Sequence, residues 1–293
     1  MPSRPTPVGG DEPGRGQAFK VVARSFSGKV PPYGLDQPLV LIGGDHLGPA
    51  ALASRLALDW TPDLLDVVAE TCSRQAAADE PWLTLPPLNL MGGPGAGRTH
   101  LARQIARHVG LPCVSMDVSG PLGADRLRRE RRSPDVSLPP LPILAMAASG
   151  CANPIVLVTG VDHATDQTLD LLAPMIDPGS SARWVDEALG MTVDLSHVSW
   201  LVATASDPLN WSFGEMLRPV QVARPSLLGA AGFGVLAVSI LREVLADLDL
   251  TRDDLGPGAE AMLRTICDRR AYTHSVSELH RQITEKVLSS LRS

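Results

Sequence analysis

The sequence predicts an α/β fold, a parallel sheet covered by helices, followed by a C-terminal module made only of helices. Three observations carry that prediction. Short apolar runs of strand length alternate with amphipathic stretches of helix length between residues 85 and 225, the pattern that builds parallel sheets through crossover connections. The first of these runs breaks into a glycine-rich turn and continues as a helix at Arg98. Beyond Pro225 the pattern is helical throughout, over 226–248, 257–269 and 274–291, so the sheet ends there.

In chain order, residues 1–17 are rich in proline and glycine and lack the apolar core of a signal peptide, which predicts a disordered tail. Residues 18–84 form an N-terminal strand and helix element packed on the main domain, with no chemistry assigned. It has β-like runs at Phe19–Phe26 and Pro38–Ile42, separated by the turn-rich SGKVPPYG. Helices follow over 46–57 and 61–77, the second opening at Thr61 with Pro62 in its first turn, a favourable helix start. Leu64, Leu65, Val67, Val68 and Cys72 give that helix an apolar face.

The α/β core, 85–225, opens with the apolar Leu88, Leu90 and Met91. The helix after the glycine turn carries Leu101, Ile105 and Val109 at helical spacing and stops at Gly110. A strand follows at Pro112–Val118. Residues 119–139, with glycines, prolines and an arginine cluster, read as an exposed insertion. A short helix at Leu141–Ser149 leads to a buried strand, IVLVTGVD, and a helix over 164–176, opened by Asp162 in the role of cap. Residues 178–196 read as a loop with Trp184 and a short strand pair. Val198–Ala205 is a continuous, mainly apolar run, hence central in the sheet, although Trp184 and Trp200 are placed as packing residues at sheet edges. A short helix at 212–217 and a last strand at Val220–Ala223 close the core. Residues 226–293 form the helical lid, with Leu227–Leu241 as the buried face of its first helix.

Composition narrows the function classes. The 293 residues are 44% hydrophobic and carry a net charge of −6, with a pI near 5.6. Nothing here resembles the basic footprint of a nucleic-acid binder, and the arginine-rich run Arg126–Arg132 reads as a solvated loop. Cys72, Cys113, Cys151 and Cys267 show neither metal-ligand nor disulfide spacing and read as buried thiols in a reducing compartment. Leu227–Leu241 is interrupted by glycines and falls short of the ~20 residues of a membrane span. A cytoplasmic protein without membrane or nucleic-acid partners is expected. Among the histidines His163 lies nearest the expected site and reads as a solvated loop residue.

The chemistry is concentrated at Gly92-x-x-x-x-Gly97-x-Thr99. Glycines let successive backbone N–H groups turn toward one anion, and the following helix adds its open amides and positive dipole end. This is the spacing of a phosphate-binding P-loop in every position but one. Gly92, Gly93, Pro94, Gly95, Ala96, Gly97, Arg98, Thr99 and His100 are the candidate phosphate ligands, and Thr99 the candidate metal ligand. The exception is Arg98, where the pattern asks for lysine. A planar guanidinium does not replace a compact ammonium, so phosphate affinity is expected to survive weakened while transition-state geometry is lost. Arg98 is then either a working phosphate ligand or a relic. No nearby lysine substitutes, since the chain has only Lys20, Lys29 and Lys286.

The loop, the sheet strands and the helical lid together resemble the AAA+ ATPases, and within them the ATPase module of Lon-type proteases and short Lon-like AAA proteins. Three segments carry the likeness beside the loop: NPIVLVTGVDHAT at 153–165, LLAPMIDPGSSARWVDEALGMTVDLSHVSWLVATAS at 171–206, and EMLRPVQV at 215–222. It covers roughly residues 85–290. The resemblance implies ATP or ADP at the loop, with Mg²⁺, and a P-loop NTPase sheet under an AAA+ lid. It also implies an Asp-Glu pair at the end of the third core strand, where this chain has Thr159 and Gly160; Asp162 follows two residues later and is the candidate catalytic residue to substitute for the pair if the strand shifts. The water-orienting sensor position is Ser206, the lid arginine position is Ser277, and the arginine finger position keeps Arg218.

Two readings follow. In one, bound ATP drives or stabilises a homo-oligomeric ring or a hetero-oligomer with another AAA+ protein, with hydrolysis slow or absent. In the other, the chain is a pseudo-ATPase, a structural or adaptor protein without a nucleotide cycle, and Arg218 is an interface ion-pair residue. The peptidase domain of Lon would lie beyond the lid, and the chain stops at Ser293. With no Gly-x-Ser-x-Gly elbow and no His-Glu-x-x-His helix, proteolysis by these residues is not expected.

Overall fold

The structure, a computed structural model, describes residues 18–28, 30–44, 61–128, 131–133, 136–137, 139–187, 189–205, 212–255, 258–268 and 272–291. The expected tail at 1–17, the helix at 46–57 and the sensor position Ser206 lie outside the described residues.

Five parallel strands form the core sheet: β4 (Leu88–Met91), β5 (Cys113–Asp117), β8 (Ile155–Thr159), β11 (Ser199–Thr204) and β12 (Arg218–Gln221), in the order β12-β4-β11-β8-β5. The mainly apolar run Val198–Ala205 does become the central strand, β11. Side chains alternate across each strand, so Ile155, Leu157, Leu201 and Ala203 enter one apolar cluster while Val156, Val158, Trp200 and Val202 enter another. Both faces are therefore buried. Trp200 consequently sits in the middle of the sheet and not at its edge, 1% exposed, and its indole N–H is buried without a partner among the described residues.

Helix α1 (Pro62–Ala77) starts after Thr61 as expected and presses Leu64, Val67, Val68 and Cys72 into the first cluster beside α2 (Arg98–Val109). The lid helices α7 (Ala230–Asp247), α8 (Gly258–Asp268) and α9 (Val276–Ser290) join this same cluster through Phe233, Ile240, Ile266 and Ile283. Leu227, taken with the buried face of the lid, is 76% exposed and precedes α7. On the opposite face lie α4 (Leu141–Ser149) and α5 (Asp166–Ile176). Among the described residues, no helix is long and apolar enough to cross a membrane.

Several boundaries differ from expectation. The run Phe19–Phe26 divides into β1 (Ala18–Lys20), which pairs with β3 (Leu39–Leu41), and β2 (Ala23–Ser25), which pairs with β10 (Met191–Val193). Strand β9 (Trp184–Asp186) completes that second sheet, so the short strand pair gains a third member from the N-terminal element. The segment 119–139 is not simply exposed: α3 (Gly123–Arg128) buries Ala124 and Leu127 and packs on α5, ahead of the hairpin β6 (Arg131–Ser133) and β7 (Val136–Ser137). Helix α5 begins at Asp166, capped by the Thr165 hydroxyl accepting from the Thr168 N–H. Capping is thus done by Thr165 and not by Asp162. The short helix α6 is Ser212–Glu215, and β12 starts two residues early, at Arg218. Cys72 and Cys151 are buried, whereas Cys113 and Cys267 are only half-buried. Burial pushes the Cys72 thiol up to about 11, as expected of an inert structural cysteine.

Candidate functional site

The glycine turn connects β4 to α2 at the C-terminal edge of the sheet. Met91 is opposite Thr204, and Asp117 is opposite Thr159, so the strand ends converge there. The join is fixed from within: the buried Thr204 hydroxyl donates to Asn89 Oδ1 at 2.7 Å, and the Gly92 N–H donates to the Thr204 carbonyl at 3.0 Å. Gly95 and Gly97 take φ of +85° and +99°, backbone conformations that side chains disfavour. A Cβ at Gly97 would also come within 2.5 Å of Val276 Cγ2. Glycine here is required twice, by φ and by the lid.

Among the described residues, the backbone N–H groups of Gly95, Gly97, Arg98 and Thr99 have no partner. They are the open amides of a helix start. Arg98 extends its guanidinium sideways to donate to the Thr204 carbonyl. Burial lowers the Arg98 pKa, and the charge of Asp162 acts in the opposite direction. Asp162 itself accepts the Ala205 N–H at 2.8 Å. Arg98, Asp162 and the end of β11 thus form one connected group. The exposed Thr99 follows Arg98 at the mouth of a cleft of about 570 Å³ between the loop, α2 and the lid.

The lid reaches the loop directly. Ser275 caps α9 by accepting the Glu278 N–H at 3.1 Å, and Glu278 accepts the His274 N–H at 3.2 Å. This reciprocal arrangement resembles a capping box. It delivers the Val276 N–H to the Gly95 carbonyl at 2.8 Å. Ser277 is the next residue, exposed in the cleft wall.

His100, grouped with the loop by its place in the sequence, belongs to the lid contact. Its Nδ1 lies 2.6 Å from Glu243 Oε2 on α7 and both side chains are buried. Arg107 binds both Glu243 and Asp247. Burial alone would raise the Glu243 carboxyl, yet the His100 hydrogen bond and the charges of His100, Arg107 and His280 hold it below its ordinary value of 4.5. A folded value below the unfolded one adds stability above that unfolded value, and the contribution is lost as the pH falls through the lowered one. Glu243→Gln is therefore expected to cost about 1–3 kcal/mol near neutral pH. The gap between variant and wild-type melting temperatures should close in acid; a gap constant down to the lowest pH would rule out this linkage.

Arg218 is not brought to the loop. It pairs with Leu88 at the opposite end of β4, about 10 Å along the strand from Met91, and its guanidinium bonds Glu70 of α1. His163 is exposed, as expected. Two residues that the sequence did not single out lie at the same edge of the sheet, Arg224 beside the loop and Asp117 at the far strand β5. Arg224, just after β12, lies over Gly93: a Cβ there would stand 2.5 Å from its Nη2. Asp117 lies against Gly160, and its Oδ1 accepts the Ser119 N–H at 3.0 Å. Only the alternation of strands hinted at either, because residues at the C-terminal ends of parallel strands converge.

The strand order, counted along the chain as 5-1-4-3-2, with the glycine turn after the first strand and helices closing over it, is the P-loop NTPase fold of the AAA+ class. The particular likeness is to Lon. The chain is 29% identical over 209 residues to a Lon protease of Brevibacillus choshinensis, covering 67% of this chain and 26% of that protein. It is 28% identical over 215 residues to the peroxisomal Lon protease homolog 2 of Pichia angusta, covering 71% and 22%. With the mitochondrial Lon protease homolog 1 of Arabidopsis thaliana the identity is 33% over 122 residues, covering 40% and 13%. No family model matches the chain. The similarity thus spans about a quarter or less of these relatives, and over that span the chain is similar to a Lon-like AAA+ module.

Proposed function

We propose that the chain binds ATP or ADP at Gly92–Thr99 and hydrolyses it slowly or not at all, with no peptidase activity assigned to these residues. The observation that carries the reading is the row of open N–H groups at Gly95, Gly97, Arg98 and Thr99, flanked by the guanidinium groups of Arg98 and Arg224. Oriented amides and fixed cations favour a polyphosphate. Thr159 and Gly160 stand where a metal ligand and a base for water would be needed, and neither side chain supplies one. Ser206 is left to orient water, and Ser277 supplies no charge from the lid. Groups of this kind are worth ~10³ or more in phosphoryl transfer, so their joint loss leaves turnover near background.

Residues 18–84, 85–225 and 226–293 act as N-terminal element, nucleotide-binding core and lid of a cytoplasmic protein. The module assembles into a homo-oligomeric ring or with another AAA+ protein, where Arg218 leaves Glu70 to meet the neighbouring site. Calorimetry with ATP and ADP tests the reading, followed by a phosphate-release assay. Micromolar binding with background turnover is expected. The second reading, an adaptor without a nucleotide cycle, is favoured by the direct bond from Val276 to Gly95, which joins loop and lid through protein alone. No heat and no thermal shift at millimolar nucleotide would select it.

A further inference from the structure

Among the described residues, those at this loop do not fit a divalent cation. Mg²⁺ takes a near-octahedral set of oxygens and is held through one or two carboxylates together with substrate phosphates. Beside the Thr99 hydroxyl, the ends of β8 and β11 offer the Thr159 hydroxyl and the Thr204 carbonyl. The Thr204 carbonyl already accepts from Gly92 and Arg98. One oxygen of Asp162 is engaged by the Ala205 N–H, and its charge acts on Arg98. Asp117 stands three strands from β4, roughly 14 Å at ordinary strand spacing, with one oxygen on the Ser119 N–H. Among the described residues, the three-ligand group Glu243, Asp247 and His280 belongs to the lid and is partly neutralised by Arg107. What is present between the helix start and the end of β11 is itself a cation.

We propose that Arg98 takes the place of the divalent cation, so that the loop holds ATP or ADP as the metal-free polyphosphate. The inference rests on the nucleotide-binding reading above. A guanidinium keeps its charge at every physiological pH and carries five N–H donors, of which the structure commits one to Thr204. The fork is anchored by that bond and lies in the field of Asp162, leaving donors for phosphate oxygens beside the open amides of the loop. Mg²⁺ brought in with the nucleotide would meet a fixed positive charge in a half-buried site, where like charges are poorly screened. The metal therefore gains nothing from the protein and competes with it for the same oxygens.

The test is calorimetric titration of the full chain with ATP and ADP, in excess EDTA and again in excess Mg²⁺. Binding about tenfold or more tighter in EDTA than in excess Mg²⁺ is expected. Arg98→Met keeps an unbranched apolar stem and removes the guanidinium with its charge, and it should weaken binding about tenfold or more in both conditions. Binding that is equal or tighter with Mg²⁺, or an unchanged affinity in Arg98→Met, overturns this inference while leaving the nucleotide-binding reading intact. No binding in either condition overturns both. The metal comparison is made on the wild-type chain and stands whether or not the variant folds.

Discussion

Returning a glutamate to position 160 is expected to destabilise the fold and leave ATP turnover at background. Gly160 follows β8 with φ +76°, a left-handed conformation that costs an L residue about 1–2 kcal/mol. The space is also taken: a Cβ there would lie 2.7 Å from Ser119 Cβ and within contact of the Asp117 carboxylate. A glutamate would bring a second negative charge against that carboxylate. Together these effects predict a loss of about 2–4 kcal/mol for Gly160→Glu, a fall in melting temperature of roughly 5–15 °C. Thermal denaturation beside a phosphate-release assay reads both consequences. A variant that melts with the wild type and turns over ATP would show that only the side chain was missing. The expectation is that the backbone here has settled on a shape that a catalytic base cannot use.

How far the sequence could be read follows from which forces leave a local trace. The helix start at Thr61-Pro62, the central position of Val198–Ala205 and the glycine spacing of the loop are local or periodic, and each is where it was expected. Contacts between distant polar residues have no period. His100 meets Glu243 across 143 residues, and nothing near His100 distinguishes a loop ligand from a lid anchor. Arg224 reaches Gly93 only because β12 lies beside β4. The Arg98 question was legible as a question, since the residue type departs from the pattern. The bond from Arg98 to the end of β11 could be seen only once the strand order was known. Apolar runs can mislead too: Phe19–Phe26 looks like one strand, but it divides at Val21 and Val22 between two sheets.

Asn153→Ala is expected to be the most destabilising single change, although Asn153 lies at the other end of β8 from the loop. The side chain is fully buried. Its amide donates to the Ile42 carbonyl at 2.8 Å and to the Leu83 carbonyl at 2.9 Å, while its oxygen accepts the Ile42 N–H at 3.0 Å. One residue thereby satisfies three backbone groups of the N-terminal element. Removing it leaves the Ile42 N–H and the Leu83 carbonyl without that partner, while the Ile42 carbonyl keeps the Leu83 N–H at 3.0 Å; at about 1–3 kcal/mol for each lost partner, partly relieved by water, the total is about 2–5 kcal/mol. Asn153→Asp should do no better, because it sets a carboxylate against two carbonyl oxygens in a buried site. Urea unfolding of both variants measures the effect. A single shifted transition would mean that residues 18–84 unfold together with the core, whereas a new early transition would mean that they separate from it. The single transition is expected, since α1 shares its apolar cluster with β4 and α2. The loop then depends on the N-terminal element for the placement of β4 as well as of β8, and a chain lacking residues 18–84 should lose nucleotide binding through loss of fold.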